Sequence, residues 1–211
     1  MKQEAALREI RAKYGDYIPK PMGIRDEYAV LCPFVSKPSR DGELYLLFEI
    51  RAAGIRQGGE VCFPGGRVEP GESDIECALR ETEEELSIPR NEIEILGRID
   101  YIYNQKGFLL RPILGKISAA GFDQIKPSPA EVADIFITPL DFFRNTKPDI
   151  YQYPLNPAPP ENFPYDKIGV PPSYPWSSGL VEVPVWYWQN HAVWGMTARI
   201  TREIIRGLRA I

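Results

Sequence analysis

A short acidic stretch in the first half of the chain carries the residues best suited to chemistry. Glu81, Glu84 and Glu85 lie within five consecutive positions. At about 100° per residue in an α-helix they form one stripe, next to an apolar stripe that would face a core. That apolar stripe consists of Ile75, Ala78, Leu79, Thr82 and Leu86. Three carboxylates on one face can bind a hard divalent cation such as Mg²⁺ or Mn²⁺.

A solvated helix face is the alternative interpretation of these acids. Acidic runs on helices are usually exposed and are often supported by a lysine at i+4. Here Glu85 occupies the i+4 position after Glu81, so the two side chains repel by roughly 0.2–0.5 kcal/mol. The acids also fall in the second half of the helix, where the helix dipole disfavours negative charge. Helix physics alone leaves both interpretations open.

The residues before this helix predict where it begins and what precedes it. Ser73 is a good N-cap, and Glu76 three residues later completes a capping box. Upstream, Gly65 and Gly66 allow the backbone to turn tightly and to approach a ligand. A Pro-Gly turn then directs Glu72 back towards the helix.

The order of these residues resembles the Nudix box of diphosphate hydrolases. The family pattern is G-x5-E-x7-R-E-U-x-E-E-x-G-U, in which U is a bulky apolar residue. Thr82 replaces the usual aliphatic residue, and Ser87 replaces the final glycine. The matching polar and glycine positions are Gly66, Glu72, Arg80, Glu81, Glu84 and Glu85.

The resemblance implies an α/β fold, an α/β/α sandwich with a mixed β-sheet, and hydrolysis of a diphosphate linkage with Mg²⁺ or Mn²⁺. It implies that Glu72 and Arg80 form a structural pair that joins the loop to the helix. The implied metal-binding groups are Glu81, Glu84, Glu85 and the Gly66 carbonyl.

Glu131 is a further candidate for catalysis, together with Glu81 and Glu84. The family often places an extra carboxylate on a distant loop, and Glu131 lies between a Ser-Pro loop signal and an apolar strand. Either Glu81 or Glu131 would then be the general base. Asp134 is an alternative to Glu131, and an ordinary exposed loop acid is the other interpretation.

Two further segments resemble the coenzyme A pyrophosphatase subfamily. The sequences LFEIRA at 47–52 and GEVCFPGG at 59–66, with Arg56 between them, are similar to L-L-T-x-R-S, an arginine and G-x-x-x-F-P-G-G. Glu49 stands where threonine is usual. The segment WGMTARI at 194–200 is similar to the start of the subfamily's C-terminal helix.

This second resemblance implies cleavage of coenzyme A or its acyl derivatives to 3′,5′-ADP and 4′-phosphopantetheine. A hydrolase of ADP-ribose or a dinucleotide, and a non-catalytic ligand-binding module, are the alternatives. Arg51, Arg56 and Arg67 could bind phosphate bidentately, although pairing with nearby glutamates is the other interpretation. Phe63 could pack on the substrate or simply be a buried aromatic.

Composition predicts one soluble domain over residues 1–211. Of the 211 residues 44% are hydrophobic and 26% are charged. The net charge of −4 argues against nucleic acid or an anionic membrane as partner. An odd number of cysteines without metal-binding spacing, and no long apolar run or signal peptide, predict a cytoplasmic protein. A homodimer is the partner considered besides a small-molecule substrate.

Hydrophobic patterning predicts the remaining elements. An N-terminal extension, 1–27, contains an amphipathic helix at 2–14 whose apolar face (Leu7, Ile10, Tyr14) serves packing or a subunit contact. A C-terminal helix is expected at about 194–208. Strands are expected at 28–35, 44–50, 93–103, 108–117 and 132–137, with an Asp41-Gly42 turn between the first two.

A proline- and aromatic-rich insertion at 153–176 is predicted to be an ordered lid over the site or an arm at a dimer contact. Stacking of adenine on one of its aromatic rings is the alternative to packing of these rings in the core. His191, the only histidine, is expected to have a structural or incidental role rather than a catalytic one.

Overall fold

In the computed structural model, which describes residues 2–36 and 42–209, the main sheet is built around two strands that pair at one end and then diverge. Strand β1 (Asp26–Ser36) pairs antiparallel with β2 (Leu44–Arg51) only near their connection. Further along, β3 (Val61–Cys62) pairs with β2, and β4 (Gly65–Arg67) pairs with β1. The Leu31 amide donates to the Pro64 carbonyl at 2.9 Å. The glycine-rich turn therefore enters the sheet between its two diverging strands.

The other strands complete a mixed sheet. β7 runs parallel to β1, and the remaining pairs are antiparallel, with β5 and β6 on β7 and β8 on β2. These strands are β5 (Ile93–Arg98), β6 (Ile102–Asn104), β7 (Phe108–Ile117) and β8 (Val132–Pro139). The predicted mixed sheet is confirmed.

Helices cover both faces of this sheet. One core lies under α2 and α3 and includes Leu47, Ala78 and Ile113. The other lies under α4 and α6 and includes Phe48 and Ile204. The helices are α1 (Lys2–Tyr14), α2 (Asp74–Leu86), α3 (Ala119–Asp123), α4 (Leu140–Asn145), α5 (Tyr165–Ile168) and α6 (Gly195–Arg209), with a 3₁₀ turn at Arg90–Glu92. The predicted α/β/α sandwich is confirmed.

Within the described ranges, no helix is both long and apolar enough to cross a bilayer.

A second, three-stranded antiparallel sheet was not expected from the sequence. It consists of β9 (Asp149–Leu155), β10 (Gly179–Trp188) and β11 (His191–Trp194), with β10 in the centre. The Trp186 indole N–H donates to the Thr146 carbonyl at 2.9 Å, which ties β10 to the end of α4. His191 stacks on Phe136 with ring centroids 4.0 Å apart, in keeping with a structural role.

The segment at 153–176 connects β9 to β10. Its aromatic rings contact one another: Phe163 and Tyr174 each lie 5.3 Å from Trp176, measured between ring centroids. Tyr174 and Trp176 are nevertheless exposed, so the expected packing of these rings in the core is wrong for them. The role of the segment as a lid or dimer arm, and the division of the chain into extension, domain and insertion, stay predictions.

Two expectations about elements were wrong. Helix α1 forms as predicted, but residues 3–22 are exposed throughout, so its apolar face does not pack on the described chain. A subunit contact there stays a prediction. The single strand expected at 93–103 is divided into β5 and β6, because residues 99–101 do not pair with β7: β5 pairs with residues 113–117 of β7 and β6 with residues 108–110.

The Asp41-Gly42 turn lies only partly within the described residues. Gly42 occupies a turn with φ +83°, and Asp41 is outside the described ranges.

The core under α6 gives the first prediction. Phe48 is fully buried and stacks on Phe63 and Phe136, with ring centroids 4.9 and 5.3 Å away. Phe48→Ala removes these contacts and leaves a cavity, so the free energy of unfolding should fall by about 3–5 kcal/mol in urea denaturation. Tyr14→Ala, on the exposed face of α1, is the control and should change it by less than about 0.5 kcal/mol. Equal effects would contradict this assignment of the core.

Candidate active site

The guanidinium of Arg80 joins the acidic loop to helix α2. Its Nε and one terminal nitrogen donate to the two carboxylate oxygens of Glu72 at 2.9 and 3.1 Å. The other terminal nitrogen donates to Glu81 at 2.9 Å and to Glu84 at 3.2 Å. The hydrogen bonds from Arg80 lower the pKa of Glu72. The structure thus places the predicted pair in contact, and it also places Arg80 on two of the three carboxylates among the candidate metal-binding groups.

Local sequence explains how α2 is held. Ser73 and Glu76 form the predicted capping box, in which Ser73 Oγ accepts from the Glu76 amide and the Glu76 carboxylate accepts from the Ser73 amide. At the other end, Ser87 adopts the left-handed conformation expected of the family's glycine, with φ 58°. Its hydroxyl donates to the Lys126 carbonyl at 2.9 Å. The replacement of glycine by serine therefore preserves the turn after the helix.

Glu85 faces inwards, whereas Glu84 faces outwards. Glu85 is 5% exposed, and its carboxylate accepts a hydrogen bond from the Gly65 amide at 2.8 Å. The side chain of Glu84 is 56% exposed. Burial raises the pKa of Glu85 to about 8. The acidic stripe thus runs from solvent to the interior beneath the glycine-rich turn.

Two glycines allow the turn to lie against its neighbours. Gly65 has φ +151°, and a β-carbon there would overlap the backbone of Ala29 and Val30. A β-carbon on Gly66 would overlap the carboxylate of Glu81. The Gly66 carbonyl, a predicted metal-binding group, accepts from the Cys77 thiol at 3.6 Å.

Glu131 is brought to the same region by a loop docked on the end of α2. The Ser128 amide donates to the Glu85 carbonyl at 2.8 Å, and the Ala52 amide donates to the Glu131 carbonyl at 2.8 Å. Burial raises the pKa of Glu81, and the charges of Glu84 and Glu131 add to the rise. Glu131 therefore lies at the predicted loop edge and within electrostatic reach of the box.

Asp134, the alternative to Glu131, is an exposed residue of β8. Its carboxylate accepts the amide of Ile135, its own neighbour in the strand.

Glu49 belongs to the site but was not among the residues predicted from the sequence. It is 1% exposed; one carboxylate oxygen accepts from the Cys62 thiol at 3.9 Å, and the other has no partner among the described residues. Burial raises the pKa of Glu49 well above its ordinary value, and the charge of Glu85 adds to this rise. Burial likewise raises the pKa of Cys62 to about 12, so the thiol stays a proton donor. Two features of the sequence could have identified Glu49. It is a single acid in an apolar strand, and it stands where the subfamily signature has threonine.

A cavity of about 640 Å³ opens beside the glycine-rich turn. Arg51, Arg56 and Lys106 line it with positive charge, and Trp194 and Met196 line it with apolar surface. Lys106, Trp194 and Met196 had not been predicted as site residues, because they lie far from the box in sequence. The cavity offers cations for phosphate groups and apolar surface for the remainder of a ligand.

The other predicted substrate residues have less access to the cavity. Phe63 is among the lining residues, but it is only 3% exposed and stacks on Phe48, which matches the core alternative. The side chain of Arg67 is 66% exposed and forms an ion pair with Asp26, and Arg67 does not line the cavity. A substrate contact by Arg67 is therefore not supported, because its charge is paired elsewhere. Arg51 donates from Nε to the Arg56 carbonyl at 3.1 Å, which links the two cavity arginines.

The donor set fits a hard divalent cation, although it is not gathered into a preformed metal cluster. Among the described residues, no three side chains of His, Cys, Asp or Glu are placed so that they could hold an ion together. Arg80 engages Glu81 and Glu84 instead. Carboxylate oxygens are nevertheless the preferred ligands of Mg²⁺ and Mn²⁺, and the unpartnered oxygen of Glu49 lacks the partner that buried polar atoms normally have.

Comparisons with known proteins agree with this geometry. Residues 25–153 match the NUDIX domain family. The chain is 34% identical over 129 residues to the peroxisomal coenzyme A diphosphatase NUDT7 of Mus musculus, covering 60% of this chain and 51% of that protein. It is 30% identical over 174 residues to the mitochondrial coenzyme A diphosphatase NUDT8 of Homo sapiens, covering 82% and 65%. The alignments thus span about half and about two thirds of these two relatives.

A solved structure supports the fold. The MutT/nudix family protein from Enterococcus faecalis superposes with a TM-score of 0.50 at 15% identity, covering 99% of this chain and 71% of that one.

The buried carboxyl of Glu85 gives a pH prediction. Its pKa is about 8 in the folded protein and 4.5 without the fold, so between these values the folded state binds more protons than the unfolded state. Without divalent ions, stability should therefore fall as pH rises from about 5 to 8, by up to about 1.4 kcal/mol per pH unit for this group. Glu85→Gln, which cannot ionise, should flatten the curve of unfolding free energy against pH, measured in urea.

Glu83→Gln is the matched control, because Glu83 is a half-exposed neighbour on the same helix paired with Arg90. Its curve should parallel that of the unmodified protein. If the curve for Glu85→Gln were also parallel to that of the unmodified protein, the conclusion that burial raises the pKa of Glu85 would be wrong.

Proposed function

Because the chain belongs to the Nudix hydrolase family, we propose that it hydrolyses the diphosphate linkage of coenzyme A or its acyl derivatives with Mg²⁺ or Mn²⁺. The products would be 3′,5′-ADP and (acyl-)4′-phosphopantetheine. The observation that carries the proposal is a cationic cavity directly beside the turn against which Glu81 and Glu85 are held. The names of the two mammalian relatives support the same class of substrate.

The residues that would hold the metal are Glu81, Glu84, Glu85 and the Gly66 carbonyl. Divalent ions at such sites neutralise phosphate charge and make water more acidic. Arg80 binds one oxygen of each of Glu81 and Glu84, so the other oxygen of each carboxylate could bind the ion while the hydrogen bond is kept. Arg80 would keep its bidentate contact with Glu72, so the loop and the helix stay joined.

A carboxylate of the chain would accept the proton of the attacking water. The raised pKa of Glu81 makes it a better proton acceptor than an ordinary glutamate, and its carboxylate lies against Gly66, which lines the cavity. Glu131 approaches from the loop before β8. Both remain candidates for the base, and water can then attack phosphorus without a covalent enzyme intermediate.

The cations of the cavity would bind the phosphates. Arg51 and Arg56 lie on the side of the cavity formed by the end of β2 and its following loop, and Lys106 lies in the turn between β6 and β7. Coenzyme A carries a 3′-phosphate as well as its diphosphate, so a substrate of this kind needs cations at two places. The apolar side chains of Trp194 and Met196 would contact uncharged parts of the molecule.

Two alternatives have different outcomes in one assay. The protein is incubated with Mg²⁺ or Mn²⁺ and, separately, coenzyme A, ADP-ribose or NADH, and the products are identified by mass spectrometry. Release of 3′,5′-ADP from coenzyme A at the highest kcat/KM is expected. Faster cleavage of ADP-ribose or NADH would favour another nucleoside diphosphate, and binding without cleavage would favour a non-catalytic module. The cytoplasmic location and the homodimer stay predictions.

The same assay tests the box carboxylates. Glu85→Gln and Glu84→Gln should each reduce kcat/KM for coenzyme A by at least about 100-fold, because a neutral amide is a poor ligand for a hard cation. Glu83→Gln alters the same helix without touching the site and should retain normal activity. Circular dichroism should show unchanged folding for all three. Near-normal turnover by both Glu84→Gln and Glu85→Gln would refute the assignment.

The cavity cations give a specificity prediction. Arg56→Gln or Lys106→Gln should raise KM for coenzyme A about tenfold, while KM for 3′-dephospho-coenzyme A changes less, because a charge-assisted contact to the 3′-phosphate is lost. Arg67→Gln is the control, since that arginine is paired with Asp26 outside the cavity. If both cavity variants affected the two substrates equally, neither cation would recognise the 3′-phosphate.

A further inference from the structure

The side chain of Glu49 is directed towards the box helix by the alternation of its strand. Tyr45 and Leu47, four and two positions earlier in β2, belong to the core under α2. Leu46 and Phe48, on the alternate positions, belong to the core under α6. Since every second side chain of a strand shares one face, Glu49 follows Leu47 on the α2 face.

The neighbours of Glu49 place it beneath the glycine-rich turn. Cys62 lies opposite Glu49 in β3, and its thiol contacts the carboxylate. Three residues after Cys62, the Gly65 amide binds the carboxylate of Glu85. Glu49 and Glu85 each contact the segment from Cys62 to Gly65, and the charge of Glu85 acts on Glu49, so the two buried acids lie in the same interior region.

The contacts of Glu49 are too few for a buried carboxylate. One oxygen receives only a weak thiol donor at 3.9 Å, and the other oxygen has no partner among the described residues. Arg51 is the cation whose charge acts on Glu49, but its Nε donates to the Arg56 carbonyl. A buried carboxylate normally has several hydrogen bonds or a bound cation, since desolvation is otherwise strongly unfavourable.

We propose that Glu49 is an additional ligand of the divalent cation that binds with Glu85, an inference that rests on the proposed function. The cation converts the repulsion between two buried carboxylates into attraction to a shared ion and gives the unpartnered oxygen of Glu49 its partner. The subfamily signature has threonine at this position, so the extra carboxylate is a feature of this chain. It makes the buried side of the site more selective for a hard cation.

The test measures metal binding without substrate. Mn²⁺ is titrated calorimetrically into the unmodified protein, Glu49→Gln and Glu49→Thr, the residue of the signature. Loss of one ligand should weaken Mn²⁺ binding at least about tenfold in both variants. Glu94→Gln, an exposed acid on β5 away from the cavity, is the control and should bind as the unmodified protein does.

Thermal unfolding gives a second readout that separates ligation from a structural role. Without metal, Glu49→Gln should have an unchanged or higher Tm, because a poorly compensated acid is removed from the interior. The rise in Tm caused by saturating Mn²⁺ should be smaller than in the unmodified protein, because binding to the folded state is weaker. If Glu49 were a neutral acid that only fills space, its substitution would leave the Mn²⁺-induced rise in Tm unchanged.

The outcomes distinguish this inference from the proposed function. If the unmodified protein binds Mn²⁺ and the Glu49 variants bind it equally well, the additional ligand is refuted while the proposed function stands. If the unmodified protein binds no divalent ion at all, both are refuted. Should Glu49→Gln not fold, Glu49→Thr provides the comparison, because threonine is smaller and uncharged.

Discussion

The geometry of the site depends on one guanidinium shared among several carboxylates. Arg80 holds Glu72 with two hydrogen bonds and reaches Glu81 and Glu84 with its remaining nitrogen. The outer part of the acidic stripe is thereby neutralised, whereas in the described part of the chain the carboxylate of Glu85, on the inner side, is held by the Gly65 amide. A cation near the outer carboxylates would be repelled by the guanidinium hydrogen-bonded to them, whereas among the described residues the inner carboxylate has no hydrogen bond from an arginine. The electrostatic asymmetry of the stripe thus sets where an ion binds most favourably.

The divergence of β1 and β2 is what brings this stripe to a cavity. Between the separating strands, β3 and β4 insert the glycine-rich turn, and the absence of side chains on Gly65 and Gly66 lets the turn lie against β1 on one side and the carboxylate of Glu81 on the other. An alanine at either position would force the turn or its neighbours to shift. The cavity then forms where the turn leaves the sheet, so the loop that supports the carboxylates also forms part of the cavity wall.

Short-range sequence patterns were sufficient to predict the helices and strands that depend on short-range interactions. The capping box at Ser73 and the hydrophobic runs of β1, β2 and β7 predicted their elements closely. The three-stranded sheet was missed because β9 and β10 pair across a long connection and β10 contains Pro184, which argues against a central strand. The same limit applies to the site: the Nudix spacing predicts the box, but only the fold shows that Glu49 faces it.

Residues 194–200 form one wall of the cavity, and this placement affects how the substrate preference of such a protein can change. These residues lie outside the stretch 25–153 that matches the family, and they reach the cavity from β11 and the start of α6. Replacing Trp194 or Met196 would reshape the space for the ligand while leaving every carboxylate in place. Selection can therefore alter the preferred substrate through the C-terminal stretch without altering the reaction, because the two tasks reside in separate parts of the chain.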